Sequence, residues 1–155
     1  MKDNTKKLIL CIGLPVLGGA LIGWLTGTMG NYDDFVKPPL SPPGWLFPVV
    51  WTVLYALMGY ALWRALIRCS TSREQSSVLT IFSFQLALNY LWPVIFFVID
   101  AYWAAVACLV ALVIMIIWTM AEFMKHDNLA SKLMIPYLLW CGFALYLNIG
   151  VAVLN

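Results

Sequence analysis

Five continuously apolar stretches, at residues 8–29, 44–66, 78–97, 102–123 and 133–154, are separated by short polar connections. Each approaches or exceeds the ~20 residues that a helix needs to cross a bilayer core of about 30 Å. In hydrocarbon the backbone must satisfy its own hydrogen bonds, and unbroken apolar runs of this length do so as helices, not as the alternating strands of a barrel. The pattern predicts an all-α fold: one domain over residues 1–155, an integral membrane bundle of five transmembrane helices.

Composition agrees. Of the 155 residues 63% are hydrophobic and 10% charged, against roughly 25% charged in soluble domains. The mean hydropathy of +0.89 leaves no room for a sizeable soluble domain beside the spans. The net charge of +2 matters less than its placement. With these spans, Lys2, Lys6, Lys7, Arg64, Arg68, Arg73, Lys125 and Lys132 fall on the side of the N-terminus and only Lys37 falls opposite. The positive-inside rule then predicts a cytoplasmic N-terminus. This asymmetry suits a bacterial cytoplasmic membrane. A cleaved leader over the first span ranks second, because its apolar run exceeds the ~7–15 residues of such segments. No basic cluster is large enough for a nucleic-acid partner.

One connection is long. Residues 30–43 read GNYDDFVKPPLSPP and hold four of the eight prolines. Proline fixes φ and removes backbone donors, so this loop is expected to be a semi-rigid, extended cover at one membrane face, or a plain spacer.

Polar and aromatic residues inside the spans mark the candidate interior. Gln85, Asn89 and Trp92 share one face of the third span at i, i+4, i+7. The amides either join helices by hydrogen bonds, the stronger expectation from sequence alone, or line a ligand cavity. Trp51 and Tyr55 on the second span, and Tyr137, Trp140, Ala144 and Asn148 on the fifth, form similar faces. Trp45, Trp63 and Trp103 fit interfacial anchors. Trp51, Trp92 and Trp140 lie deeper, toward the Pro-rich loop, where a shared aromatic chamber is geometrically feasible.

Acid-base chemistry has little to stand on. His126 is the single histidine and falls in a polar connection, which favours a solvated loop residue. Cys11, Cys69, Cys108 and Cys141 form no CxxC pair, so helix packing is preferred to metal ligation or redox chemistry. No metal site, catalytic group or required cofactor is expected. No carboxylate or basic residue stands at a bilayer midplane, where a proton- or ion-coupled transporter ordinarily carries one.

The strings KPPLSPPGW (Lys37 to Trp45), VVWTVLYALMGYALW (Val49 to Trp63), QLALNYLWPVIFF (Gln85 to Phe97) and IPYLLWCGFALYLN (Ile135 to Asn148) resemble the TspO/MBR family. That family comprises the translocator proteins, or peripheral-type benzodiazepine receptors, and the likeness covers nearly the whole chain. It implies a five-helix membrane protein, commonly a homodimer, that binds porphyrins such as protoporphyrin IX and haem, and benzodiazepine-type ligands, with a role in porphyrin transport, sensing or regulation. Carried over by motif, Trp51, Asn89, Trp92, Trp140 and Ala144 line the pocket, Tyr32 and Pro42 belong to the lid, and Tyr55, Gln85 and Phe96 stand nearby. The resemblance also suggests an alternative, light-dependent oxidative breakdown of protoporphyrin IX, for which the indoles of Trp51 and Trp140 would be the candidates. A third alternative is a structural role through dimerisation, for which Ser83 and Ala87, or Gly19 and Gly23, supply small-residue steps.

Two departures stand out. The family's loop often reads W-x-P-P where this chain has Leu40-Ser41-Pro42-Pro43. The Tyr and Arg of the animal members' proposed cholesterol motif are absent after Leu147-Asn148, so cholesterol binding by that route is not expected.

Overall fold

The computed structural model describes residues 2–28 and 35–155. Its helices are α1 (Lys2–Leu25), α2 (Leu46–Arg68), α3 (Ser72–Phe97), α4 (Tyr102–Met124), the six-residue α5 (Asn128–Leu133) and α6 (Ile135–Leu154). The described residues contain no strand. Five helices are long and apolar enough to cross a membrane, the last formed by α5 and α6 together over Asn128–Leu154. Met134 joins those two with near-helical torsions, φ −83° and ψ −11°.

The spans run past their predicted edges where polar residues cap them. α3 starts at Ser72 because Thr71 accepts from the Glu74 N–H while the Glu74 carboxylate accepts from the Thr71 N–H, a capping box. α5 starts behind Asp127, whose Oδ1 accepts from the N–H groups of Leu129 and Ala130 at 2.8 and 3.1 Å. α1 is followed by Gly27 at φ +64°, the left-handed conformation that glycine adopts freely after a helix.

α2, α3, α4 and α6 share the core. Met58, Ala61, Ala65, Val78, Leu109, Ile116, Phe123, Met134, Tyr137 and Cys141 are all fully buried there. α1 stands apart: 6% of the residues in its spanning window are buried, against 28–39% in the other four. Its outer face presents Ile9, Leu14, Leu17, Leu21 and Trp24, as lipid-facing side chains do. What holds α1 is close backbone approach. Pro15 has no N–H, so the Cys11 carbonyl loses its helical donor. Gly59 of α2 lies directly against that carbonyl and the Ile12 Cα, a contact that any Cβ would block. Tyr90 of α3 adds a hydrogen bond from its hydroxyl to the Pro15 carbonyl at 2.9 Å.

The basic connections gather at one end of the bundle. There Arg64 donates to Asp127 Oδ2 at 2.7 Å, with Arg68 3.8 Å from the same oxygen, and Lys125 meets Glu122 at 2.6 Å. Burial alone would raise the Asp127 carboxyl, but the Ala130 and Leu129 N–H groups and the Arg64 guanidinium outweigh it and hold the carboxyl below its usual range.

Candidate functional site

At the other end, α1, α2 and α3 enclose a cavity of about 140 Å³. α2 contributes Phe47, Pro48, Trp51, Thr52 and Tyr55; α3 contributes Asn89, Trp92 and Pro93. α1 offers a small-residue wall of Gly19, Ala20 and Gly23, with Val16 and Ile22 around it and Thr28 just beyond its end. The helical spacings explain the set, since Trp51 and Tyr55 are one turn apart, as are Asn89 and Pro93. Pro93 also matters through its backbone, because without its N–H the Asn89 carbonyl has no i+4 donor.

Behind the aromatic wall lies a buried chain of polar side chains. Tyr55 donates to Asn89 Oδ1 at 2.6 Å, Asn89 Nδ2 donates to the Tyr137 hydroxyl at 2.8 Å, and Tyr137 donates to Gln85 Oε1 at 2.9 Å. Gln85 ends the chain with a long contact from Nε2 to Met58 Sδ at 3.9 Å. These bonds tie α2, α3 and α6 together, the helix-joining role that the two amides suggest from their spacing. Asn89 keeps one side on the cavity, whereas Gln85 is wholly enclosed. A second link runs from Trp92 Nε1 to Asn148 Oδ1 at 2.9 Å and from Asn148 Nδ2 to the Tyr102 carbonyl at 3.1 Å.

Of the residues expected at the pocket, Trp51, Tyr55, Asn89 and Trp92 are brought together on the cavity. Ala144 and Phe96 lie in a neighbouring void of about 20 Å³, shared with Trp92 and Asn148. Trp140 reaches neither space. It packs edge-on against Phe47 with ring centroids 5.8 Å apart, and its Nε1 is buried without a hydrogen-bond partner. Phe47 borders both voids and separates Trp140 from the larger one. Sequence reasoning passed over it, although it stands one turn before Trp51 on the same face. The small wall of α1 includes Gly19 and Gly23, the step that the sequence offers for dimerisation. Gly19 lies against the Tyr55 ring and Gly23 lines the cavity, so this step faces α2 and the cavity.

The Pro-rich loop is described from Phe35 onward, and none of its residues 35–43 lines the cavity; Tyr32, expected in the lid, lies outside the described residues. Phe35 packs edge-on against Phe96 and Tyr102 at 5.4 and 5.8 Å. The Val36 N–H and carbonyl pair with the Asn155 side chain at 3.2 and 3.0 Å, and Tyr146 donates to the Pro39 carbonyl at 2.8 Å. Pro38 sits against Gly150. This half of the loop is therefore fastened to α6 and to the adjoining ends of α3 and α4. Pro42 is half-buried beyond it, and Leu40 is exposed at φ +67°.

These features define an all-helical membrane protein with an aromatic, largely apolar cavity toward one end of the bundle. The TspO/MBR family model matches residues 11–154, and the chain belongs to that family. Similar proteins include the "Tryptophan-rich protein TspO" of Chlorobaculum tepidum, 39% identical over all of this chain and 99% of that protein. The "Tryptophan-rich sensory protein" of Cereibacter sphaeroides is 34% identical, covering 92% of this chain and 85% of its own length. The "Translocator protein" of Bos taurus is 36% identical, covering 87% and 82%.

Proposed function

We propose that this protein is a membrane receptor or transporter-like protein that takes up a flat tetrapyrrole, protoporphyrin IX or haem, or a benzodiazepine-type ligand, between α1, α2 and α3. The observation that carries the proposal is the cavity itself: Trp51, Tyr55, Phe47 and Trp92 offer ring faces, and Asn89 offers an amide edge that orients a polar substituent. The chemistry of the lining fits a macrocycle. Its volume of about 140 Å³ is smaller than the ~300–1,000 Å³ of ordinary ligand pockets. A whole ring enters when the sparsely buried α1 moves outward or when Phe47 turns and brings the unpartnered Trp140 N–H to the ligand. Titration of purified protein with protoporphyrin IX should quench tryptophan fluorescence. Trp51→Phe should weaken affinity roughly tenfold, equivalent to one lost aromatic contact of about 1.4 kcal/mol. Trp140→Phe should weaken it less. Absence of quenching, or equal affinity in Trp51→Phe and wild type, would sink the proposal.

A second reading, photo-oxidation of the bound porphyrin by dioxygen, is favoured by one arrangement. Trp51 stands 5.6 Å from the Tyr55 ring and 6.2 Å from the Tyr137 ring, centroid to centroid, so an oxidised indole has phenols beside it to refill it. Faster loss of porphyrin absorbance under light in the complex than in detergent would establish this activity. The proposal also sets the basic end of the bundle in the cytoplasm, and a homodimer through the exposed Ser83 and Ala87 face of α3. A monomeric mass by light scattering in mild detergent counts against that dimer.

A further inference from the structure

We propose that the basic end of the bundle carries a site for a borderline divalent transition metal, of which Zn²⁺ is the model, built from Cys69, Glu74 and His126. One ligand atom from each, the thiol sulfur, a carboxylate oxygen and a ring nitrogen, lie within 4.8 Å of one another. The site is far from the aromatic cavity and independent of the tetrapyrrole proposal.

Three local structures bring these side chains together. Cys69 is the C-cap of α2, and Glu74 is in the first turn of α3. Glu74 Oε2 accepts from the Ser70 and Thr71 N–H groups at 2.7 and 3.3 Å, so backbone donors already orient the carboxylate. Such outer hydrogen bonds are what fix a metal's ligands before the ion arrives. His126 comes from the turn between α4 and α5, held by its N–H to the Phe123 carbonyl at 3.0 Å. Its Nε2 is buried and has no hydrogen-bond partner. A buried ring nitrogen left this way is costly, and a bound cation would satisfy it.

Charge favours a cation over an anion here, despite the basic surroundings. Lys125 is engaged by Glu122 at 2.6 Å, and Arg64 and Arg68 share Asp127 at 2.7 and 3.8 Å. Against Arg73 nearby, the ligands themselves supply a thiolate and a carboxylate once the metal displaces the thiol proton to solvent. One sulfur, one nitrogen and one oxygen suit Zn²⁺, and Co²⁺ in its place. Donors around tetrahedral Zn²⁺ stand about 3.5 Å apart, so the three side chains must draw together by about 1 Å, within rotamer adjustment. Glu74 and His126 border a surface depression of about 470 Å³, which leaves the fourth position open to water or an exchangeable ligand.

The test uses the full chain in detergent, free of any histidine tag, titrated with Co²⁺. A thiolate-to-cobalt charge-transfer band in the near ultraviolet is expected, removed by Zn²⁺. Cys69→Ser should abolish the band, His126→Gln should weaken Co²⁺ binding roughly tenfold or more, and Cys11→Ser should leave both unchanged. A missing band in the wild type, or a band retained in Cys69→Ser, overturns the proposal. A measurement without any variant guards against misfolding: saturating Zn²⁺ should slow alkylation of Cys69 by iodoacetamide, read by peptide mass spectrometry. Equal alkylation with and without Zn²⁺ overturns it too.

Discussion

The Tyr137 hydroxyl is the pivot of the interior. It accepts from Asn89 and donates to Gln85, and all three side chains are at most 2% exposed. Tyr137→Phe removes one oxygen and leaves both an amide N–H and an amide oxygen unsatisfied where water has no ready route. A buried unsatisfied group costs about 1–3 kcal/mol in soluble cores. Interhelical hydrogen bonds in membrane bundles average nearer ~0.6, with a ceiling of about 1.7 kcal/mol, because the unfolded helices find other partners. Two such bonds put the expected loss at about 1–3 kcal/mol. Tyr55→Phe removes a single bond to an Asn89 oxygen beside the cavity, where water can substitute, and should cost about 0.5–1 kcal/mol. Denaturant unfolding in detergent micelles, followed by far-ultraviolet circular dichroism, measures both. Porphyrin affinity should stay within about twofold of wild type in Tyr137→Phe, because Tyr137 does not line the cavity. The reasoning is refuted if Tyr137→Phe unfolds at the wild-type midpoint, or if Tyr55→Phe proves the more damaging.

Two further outcomes follow from the packing of α1 and of the basic end. Gly59→Ala places a Cβ against the Cys11 carbonyl and the Ile12 Cα, main-chain atoms that cannot rotate away, and should cost about 1–3 kcal/mol. Gly13→Ala, whose Cβ meets nothing, should be neutral or slightly stabilising; equal thermal midpoints for the two variants would contradict this account. Asp127→Asn keeps a capping oxygen for α5 and loses only the charge, whereas Asp127→Ala also forfeits the cap, worth about 1 kcal/mol. Because the folded-state value of Asp127 lies below the usual 3.8, its contribution is complete above that value and is lost as the pH falls through the lower one. Unfolding midpoints of wild type and Asp127→Asn should therefore converge only below about pH 4, and convergence near neutral pH would show that the ion pair is not what stabilises this end.

What the sequence disclosed and what it hid divide along a physical line. Length and continuous apolarity are properties of single segments, so the five spans were legible, as was each face set by helical spacing: Trp51 with Tyr55, and Gln85 with Asn89 and Trp92. The polar ends of α3 and α5 were also encoded locally, in Thr71-x-x-Glu74 and in Asp127, but were overlooked because hydropathy weighs such residues against a span. Pairings between segments were hidden. Nothing local to Asn89 says that its amide is held by Tyr55 and Tyr137 beside the cavity, and nothing local to Trp140 says that Phe47 stands before it. The wall of the cavity on α1 was hidden for a different reason, since Gly19, Ala20 and Gly23 contribute by what they lack. Small residues leave no chemical signature, yet their bareness both admits the Tyr55 ring and leaves the space beside Trp51. The cavity thus lies beside the least buried helix, and a ligand larger than about 140 Å³ would act first on that helix.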